Sequence, residues 1–495
     1  MNNIRSENSF QVIRIGWIIL LSIFLLFPTC RILLIGHEGS STFFEYAFSA
    51  IPDIATVLFF ILVIILKKPN LRKFFWQLSD FLVIFYVLLS LLLGLVHPIE
   101  YKLALYDLRL SFLPVLFYFA FRLLSHEEIK SLFISLTYFL LIFATLAILL
   151  YLFFPTLYFS IHHKLNLPYD EYFIPRLFFL IWSPVVMGSL MFLGFLLTIF
   201  LIRSFFRWIS LIIFSVAITC TVSRGAILGL LITLTFIFIF FKNYRLKVFY
   251  SLIIFLVTLS VLSLYFTSSL KLFTWPIYST LSLVTSISQE KRASLYHDNF
   301  SYLYNSLQDS SDKKNHSAEV KATPNNSSSL NNNLQDSSDK KNHSAEVKAT
   351  PNNSSSLNNS LQDSSDKKNH SAEVKATLND LLFGHGFGKG GHIAYRFLQN
   401  DSSSNIFLKS TDCYYLKILI ETGLIGLLVF FIVWSWIFFW MTKHSLKTLL
   451  PLNILSTSTL LFVLLQNLVS NTMDFYFFAP LFWASLGSFK MKNYA

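Results

Sequence analysis

Three arginines, a glycine-rich run and two acids hold most of the chemistry this sequence could perform. A guanidinium is planar, permanently charged and able to fork onto two phosphate oxygens at once. Arg109, Arg176 and Arg224, held near one surface, would suit an anionic ligand. Arg224 stands in Thr221-Val-Ser-Arg-Gly, at a tight turn between two apolar runs; its plain alternative is a long side chain reaching for an interface. Gly384-His-Gly-Phe-Gly-Lys-Gly-Gly matches G-x-G-x-x-G at Gly386, Gly388 and Gly391. No strand–turn–helix pattern surrounds it, so a nucleotide site is not indicated. Backbone at Gly384, Gly386 and Gly388 could instead form a nest that accepts phosphate oxygens. His385 could accept a proton or only hydrogen-bond the loop, and Lys389 reads as a solvated charge. Asp412 opens an apolar helix. It would serve there as an N-cap, or as a carboxylate placed to take a proton from a hydroxyl. Glu421 is nine residues further on, about half a turn around the helix, and is expected to pair inside the bundle.

The elements that would position these residues are hydrophobic. Of 495 residues, 54% are hydrophobic and 13% charged, against roughly 25% charged in soluble domains. The expected fold class is therefore all-α, a polytopic membrane protein. A span needs about 20 apolar residues. About twelve segments qualify on that rule: 12–30, 45–66, 77–96, 103–124, 131–154, 177–201, 206–222, 225–241, 247–267, 413–441, 448–467 and 473–489. The first lacks a small-residue cleavage site and is read as an anchor. Lysines and arginines gather in alternate loops, as at Lys67, Lys68, Arg122, Lys130, Arg203, Arg207, Lys242, Arg245, Lys443, Lys447, Lys490 and Lys492. By the positive-inside rule both termini are cytoplasmic. The net charge of +12 is then a topology signal rather than a nucleic-acid one. Three cysteines (Cys30, Cys220, Cys413) have no metal-ligand spacing, and neither a metal nor a cofactor is expected.

The chain divides into membrane helices over 1–266, a large outer segment over 267–412, and further membrane helices over 413–495. Within the outer segment an exact repeat starts at Leu307, Leu334 and Leu361, with a period of 27 residues. The tract 305–377 is rich in Ser, Asn, Lys and Asp and too polar to offset its ordering entropy, so it reads as a duplicated, disordered stretch. Residues 378–412 carry the glycine-rich part. Ionisable residues in a membrane are costly and tend to mark function. Asp53, Asp107, Arg109, Glu421 and Asp474 fall toward the outer half, whereas Arg14 and Asp80 fall at the inner end. A polar cavity open to the outside would explain the set; so would structural pairs, such as Asp107 or Glu421 with an arginine.

These motifs resemble those of the O-antigen ligase and polymerase superfamily. Thr221-Val-Ser-Arg-Gly-Ala-Ile-Leu-Gly-Leu resembles its Ser-Arg-Gly signature. Asp380-Leu-Leu-Phe-Gly-His-Gly-Phe-Gly resembles the glycine-rich motif near the end of its large periplasmic loop. Tyr415-Leu416 and Glu421-Thr-Gly-Leu-Ile-Gly resemble the segment that follows, and Arg176 is similar to an arginine ahead of the sixth span. The resemblance implies a metal-independent, inverting glycosyltransferase of the GT-C type in a bacterial inner membrane, working on its periplasmic face. Its substrate would be an undecaprenyl-pyrophosphate-linked oligosaccharide, with a chain-length regulator as a further partner. It also implies that Arg224, Arg176 and Arg109 hold the pyrophosphate, that Asp412 or His385 is the base, and that Gly384, Gly386 and Gly388 border the substrate. Ligases commonly carry a histidine where this chain has Asp412, which favours a polymerase. A ligase acting on lipid A core is the first alternative, and a flippase for lipid-linked sugars the second.

Overall fold

The computed structural model describes residues 2–35, 50–67, 77–95, 101–154, 177, 183–203, 205–221, 223–269, 382–384, 386–387, 413–468, 470–471, 473 and 478–490. Contacts divide the chain into two units, one made of Met1–Ser294 with Leu382–Ala495, the other of Leu295–Leu381. The second unit, with the tandem repeats, lies outside the described residues, as do Arg176, His385, Gly388, Asp412 and Asp474.

Among the described residues there are thirteen α-helices and no strand. They are α1 (Asn2–Ile35), α2 (Ile51–Lys67), α3 (Leu78–Leu95), α4 (Tyr101–Phe112), α5 (Val115–Leu123), α6 (His126–Phe153) and α7 (Pro184–Leu201). There follow α8 (Phe205–Cys220), α9 (Arg224–Phe240), α10 (Arg245–Ser269), α11 (Tyr414–Thr448), α12 (Pro451–Gln466) and α13 (Phe478–Gly487). Each expected apolar segment overlaps a helix. The fourth is broken into α4 and α5 at Leu113-Pro114, because proline has no N–H to continue the ladder. Among the described residues, four helices, α6, α7, α11 and the stretch Lys242–Leu262, are long and apolar enough to cross a membrane.

Local chemistry sets the helix ends. Ser125 and Glu128 form a reciprocal capping box on α6, with Ser125 N–H donating to Glu128 Oε2 at 2.8 Å. Pro184 and Pro451 open α7 and α12, where a missing N–H costs nothing. Inside the helices, Thr137, Ser189, Thr198, Ser215 and Thr219 donate to the carbonyl four residues back. Polar side chains in an apolar bundle are thereby satisfied without leaving their own helix.

The buried axis is α7, whose residues from Val186 to Leu201 are all enclosed, with α6, α8 and α12 packed around it. The outward faces are apolar too: Phe439 is 75% exposed and Ile432 65%. Such a surface suits a hydrocarbon solvent better than water.

Side-chain contacts sort the helix ends into two groups. At one end, Asp80 of α3 takes a forked pair of bonds from Arg122 of α5 at 2.9 and 3.0 Å. The same carboxylate accepts from the Tyr118 hydroxyl and from Gln77 N–H, both at 2.6 Å. Lys490, just past α13, donates to the Arg122 carbonyl at 2.7 Å, and Asn453 at the start of α12 bonds Lys490 backbone. Lys67 pairs with Glu128 at this end. At the other end lie the start of α9, the start of α11, the end of α12 and the segment Leu382–Phe387.

Candidate functional site

The second end is built by close approaches that only small residues permit. Gly386 N–H donates to the carbonyl of Glu421 at 3.0 Å, and Phe387 N–H to that of Gly94 at 3.1 Å. Beside these bonds two glycines interlock: Gly384 (φ +76°) and Gly423 (φ +68°) both occupy the left-handed region. A Cβ at Gly423 would stand 2.3 Å from the Leu382 carbonyl oxygen, and one at Gly384 2.5 Å from Glu421 backbone. Gly423, with ψ −171°, interrupts α11 in a conformation that is essentially glycine's alone. The apolar run 413–441, read as one uninterrupted span, is thus a helix with a kink at Gly423 that receives the glycine-rich segment. Phe387 drops onto Gly94 of α3 and meets Phe112 edge-on, with ring centroids 5.8 Å apart. Of the three glycines proposed from the sequence for a phosphate nest, Gly386 spends its amide on the Glu421 carbonyl, and Gly388 lies outside the described residues.

Under this docked segment lies a buried charge cluster. Lys417 Nζ is 2.6 Å from Asp107 Oδ1 of α4 and 3.8 Å from Glu421 Oε2, one turn further along α11. Arg109, also on α4, is 2.8 Å from Asp53 of α2. Glu421 therefore pairs inside the bundle, as expected, but its partner and that of Asp107 is a lysine. Lys417 is 2% exposed, and the carboxylates of Asp107 and Glu421 offset its cost in an apolar interior. The sequence reading passed over Lys417, although a lysine in a strongly apolar helix is itself a signal.

Arg224 is the first residue of α9, and Ser223 is its N-cap. The turn Thr221–Arg224 is pinned by Thr221, whose hydroxyl donates to the Ile218 carbonyl at 2.7 Å and accepts from Ser223 N–H at 3.3 Å. Gly225 faces Gln466 at the end of α12, and a Cβ there would sit 2.7 Å from the Gln466 side-chain oxygen. The same stretch of α12 holds the start of α11, since Tyr414 N–H donates to the Asn467 carbonyl at 3.1 Å and the Tyr415 hydroxyl to that of Leu464. Between these parts and the bundle runs an aromatic crevice lined by Tyr86, Phe112, Tyr414, Trp434 and Trp483, with Ser111 and Asn467 as polar members.

Of the eight residues singled out from the sequence, Arg109, Arg224, Gly384 and Gly386 are described, all at this one end. Arg176, His385, Gly388 and Asp412 fall outside the described residues. Gln466 and Lys417 join the site from the structure alone. No family model, curated protein or solved structure matches the chain.

Proposed function

We propose that the chain is a polysaccharide polymerase of the O-antigen type. It would transfer a growing glycan from undecaprenyl pyrophosphate to a lipid-linked repeat unit on the periplasmic face of a bacterial inner membrane. One observation carries the reading. The three segments that bear the resemblance meet at one end of the bundle, although they are spread from Thr221 to Gly426 in the sequence. The glycine-rich segment bonds Glu421 directly. The Ser-Arg-Gly turn meets Gln466, and the adjoining Asn467 holds Tyr414. About twelve spans with cytoplasmic termini agree with the gathering of Lys67, Arg122 and Lys490 at the opposite end, as a positive-inside arrangement requires.

In this reaction the acceptor hydroxyl oxygen attacks the anomeric carbon of the donor glycan from the face opposite the pyrophosphate. The carbon–oxygen bond to pyrophosphate breaks, and the configuration inverts. The hydroxyl proton passes to a base, for which Asp412 and His385 are the candidates. The leaving pyrophosphate gains negative charge, which Arg224 and Arg176 would balance. Arg109 enters this scheme from its pair with Asp53.

The test is Arg224→Ala in cells, with membrane level measured alongside. A polymerase loses long-chain polysaccharide and leaves lipopolysaccharide capped with single units. A normal chain-length ladder with wild-type protein level sinks the reading. Bare core with lipid-linked polymer accumulating would replace it with the ligase.

A further inference from the structure

We propose that the ends of α7 and α9, with the starts of α8 and α10, form a binding site for an anionic phospholipid of the cytoplasmic leaflet. Arg203, Arg207 and Lys247 hold its phosphate, while Trp208 and Tyr250 flank its chains. The site depends on the chain lying in a membrane and not on the polymerase activity.

Contacts place this corner at the Lys490 end of the bundle. Phe236, near the end of α9, lies against Phe438 of α11, and two residues on, Trp440 meets Phe489 beside Lys490. Phe200 at the end of α7 meets Tyr244, just ahead of α10, with ring centroids 5.2 Å apart. Three cations gather there. Arg203 follows α7, Arg207 lies in the first turn of α8 and Lys247 in the first turn of α10, and their like charges act on one another.

Such a cluster needs counter-charge, and this part of the chain supplies none. From Tyr172 to Gln289 the sequence contains no Asp or Glu. α6, which packs on α7 and α8, commits Glu128 to Lys67 and Glu127 to Lys130. Arg122 has Asp80. Among the described residues, no carboxylate pairs with Arg203, Arg207 or Lys247. One half of this end thus neutralises its cations in pairs and the other half does not. The positive-inside bias accounts for cations facing the cytoplasm, but not for three that converge without an acid.

The geometry suits a phosphate in particular. Arg207 Nε donates to the Ile202 carbonyl at 2.8 Å. That anchors the guanidinium and leaves its two Nη groups, the edge that forks onto a pair of phosphate oxygens. Lys247 Nζ stands 5.1 Å from the centre of the Tyr244 ring, a cation–π contact that holds the ammonium in place. Arg245, by contrast, turns back onto the Phe238 and Ile239 carbonyls of α9 and is spent there. Trp208 and Tyr250 meet edge-on at 6.2 Å and join α8 to α10. In the same first turns, Phe205 and Leu246 are 70% and 71% exposed. Unpaired cations bordered by exposed aromatic and apolar side chains match a phospholipid, with its headgroup at the water boundary and its chains in hydrocarbon.

The test uses the purified full-length protein in detergent, with binding read by native mass spectrometry and folding by thermal unfolding. The probes are dioleoylphosphatidylglycerol, dioleoylphosphatidylcholine and glycerol phosphate. Phosphatidylglycerol should bind more tightly than phosphatidylcholine, whose choline cancels the phosphate charge. Arg207→Gln and Lys247→Gln should each weaken phosphatidylglycerol binding about fivefold, the effect of one cation near a lipid surface. Lys67→Gln with Lys130→Gln removes two charges from the paired half and should leave binding unchanged. An equal loss in that double variant and in Arg207→Gln with Lys247→Gln would overturn the site, because net charge alone would then explain it. Equal binding of the two lipids would overturn it too, and glycerol phosphate binding as tightly as phosphatidylglycerol would overturn the lipid as occupant. Should Arg207→Gln fail to fold, Lys247→Gln, at an exposed side chain, decides the matter. The proposed function is tested separately by Arg224→Ala.

Discussion

The docking of Phe387 on Gly94 can be tested by a change of sign. In Gly94→Ala the new methyl would lie 2.1 Å from the Phe387 ring, far inside contact distance. The ring has little room to yield: it is 5% exposed, packed on Phe112, and its own N–H is tied to the Gly94 carbonyl. Overpacking of this kind costs about 1–3 kcal/mol. That raises the population of undocked segment by about 5- to 150-fold. With Phe387→Ala the obstacle is gone, although the docked state loses about 1.5–3 kcal/mol of ring burial. On that background the same Gly94→Ala change only replaces a flexible helical residue by a better helix former, and should stabilise by up to about 0.5–1 kcal/mol. Hydrogen exchange of the peptide spanning Leu382–Phe387, followed in detergent, reports the undocking directly. Gly94→Ala should speed exchange in the wild-type background and slow it, or leave it unchanged, in Phe387→Ala. An effect of the same sign and size in both backgrounds would refute the socket.

Asp80→Ala should be severe: it leaves the buried Arg122 guanidinium without its forked partner and should destabilise by about 3–5 kcal/mol, read as loss of folded protein in detergent and low membrane abundance. Lys490 gives a pH dependence. Burial first, and then the neighbouring Arg122 guanidinium, push its pKa down to about 7 from 10.5, against the opposing pull of Asp80 and Glu128. Between pH 7 and 10.5 the unfolded chain therefore binds a proton that the folded protein does not, so stability rises with pH across that window, by at most about 1.4 kcal/mol per unit. Below pH 7 both states are protonated and the dependence ends. Thermal unfolding of the wild-type protein should show this slope, and Lys490→Met should flatten it.

Much of the helical framework was legible because its signal is local. A run of about 20 apolar residues can satisfy its backbone in few ways other than a helix, and each of the expected segments does overlap one. The break at Pro114 was missed: the apolar pattern makes 103–124 one span, although a proline there lacks the donor that would continue the helix. The kink at Gly423 was not legible as such: a glycine within an apolar run is common, and its backbone conformation is fixed by Leu382 and Gly384, some forty residues earlier in the chain. Lys417 went unnoticed for a similar reason, as its partner Asp107 is 310 residues away. The glycine-rich segment invited a phosphate nest because glycines expose amides. Where the Gly386 amide goes is decided by Glu421, and no pattern within the segment states that.

Both ends of the bundle bury polar groups, and at each some of them lack a partner. At the Lys490 end the Asp80 carboxylate receives bonds from Arg122, Tyr118 and Gln77, while the Gln77 side-chain oxygen is buried without a partner. At the Arg224 end the Ser223 hydroxyl and the Gln466 side-chain oxygen are buried without partners. Each such group costs about 1–3 kcal/mol relative to a satisfied one. Apolar substitutes of similar size would remove that cost: alanine at an N-cap forfeits only a bond that Ser223 does not make, and leucine or methionine would fill the place of Gln466. The glycine-rich segment, tied to Gly94 and Glu421, forms part of a fixed wall. Changes at Gly94, Phe387 or Gly423 should act by loosening this wall, read as faster exchange over Leu382–Phe387, whereas Ser223→Ala and Gln466→Leu should leave that exchange unchanged and raise the unfolding temperature.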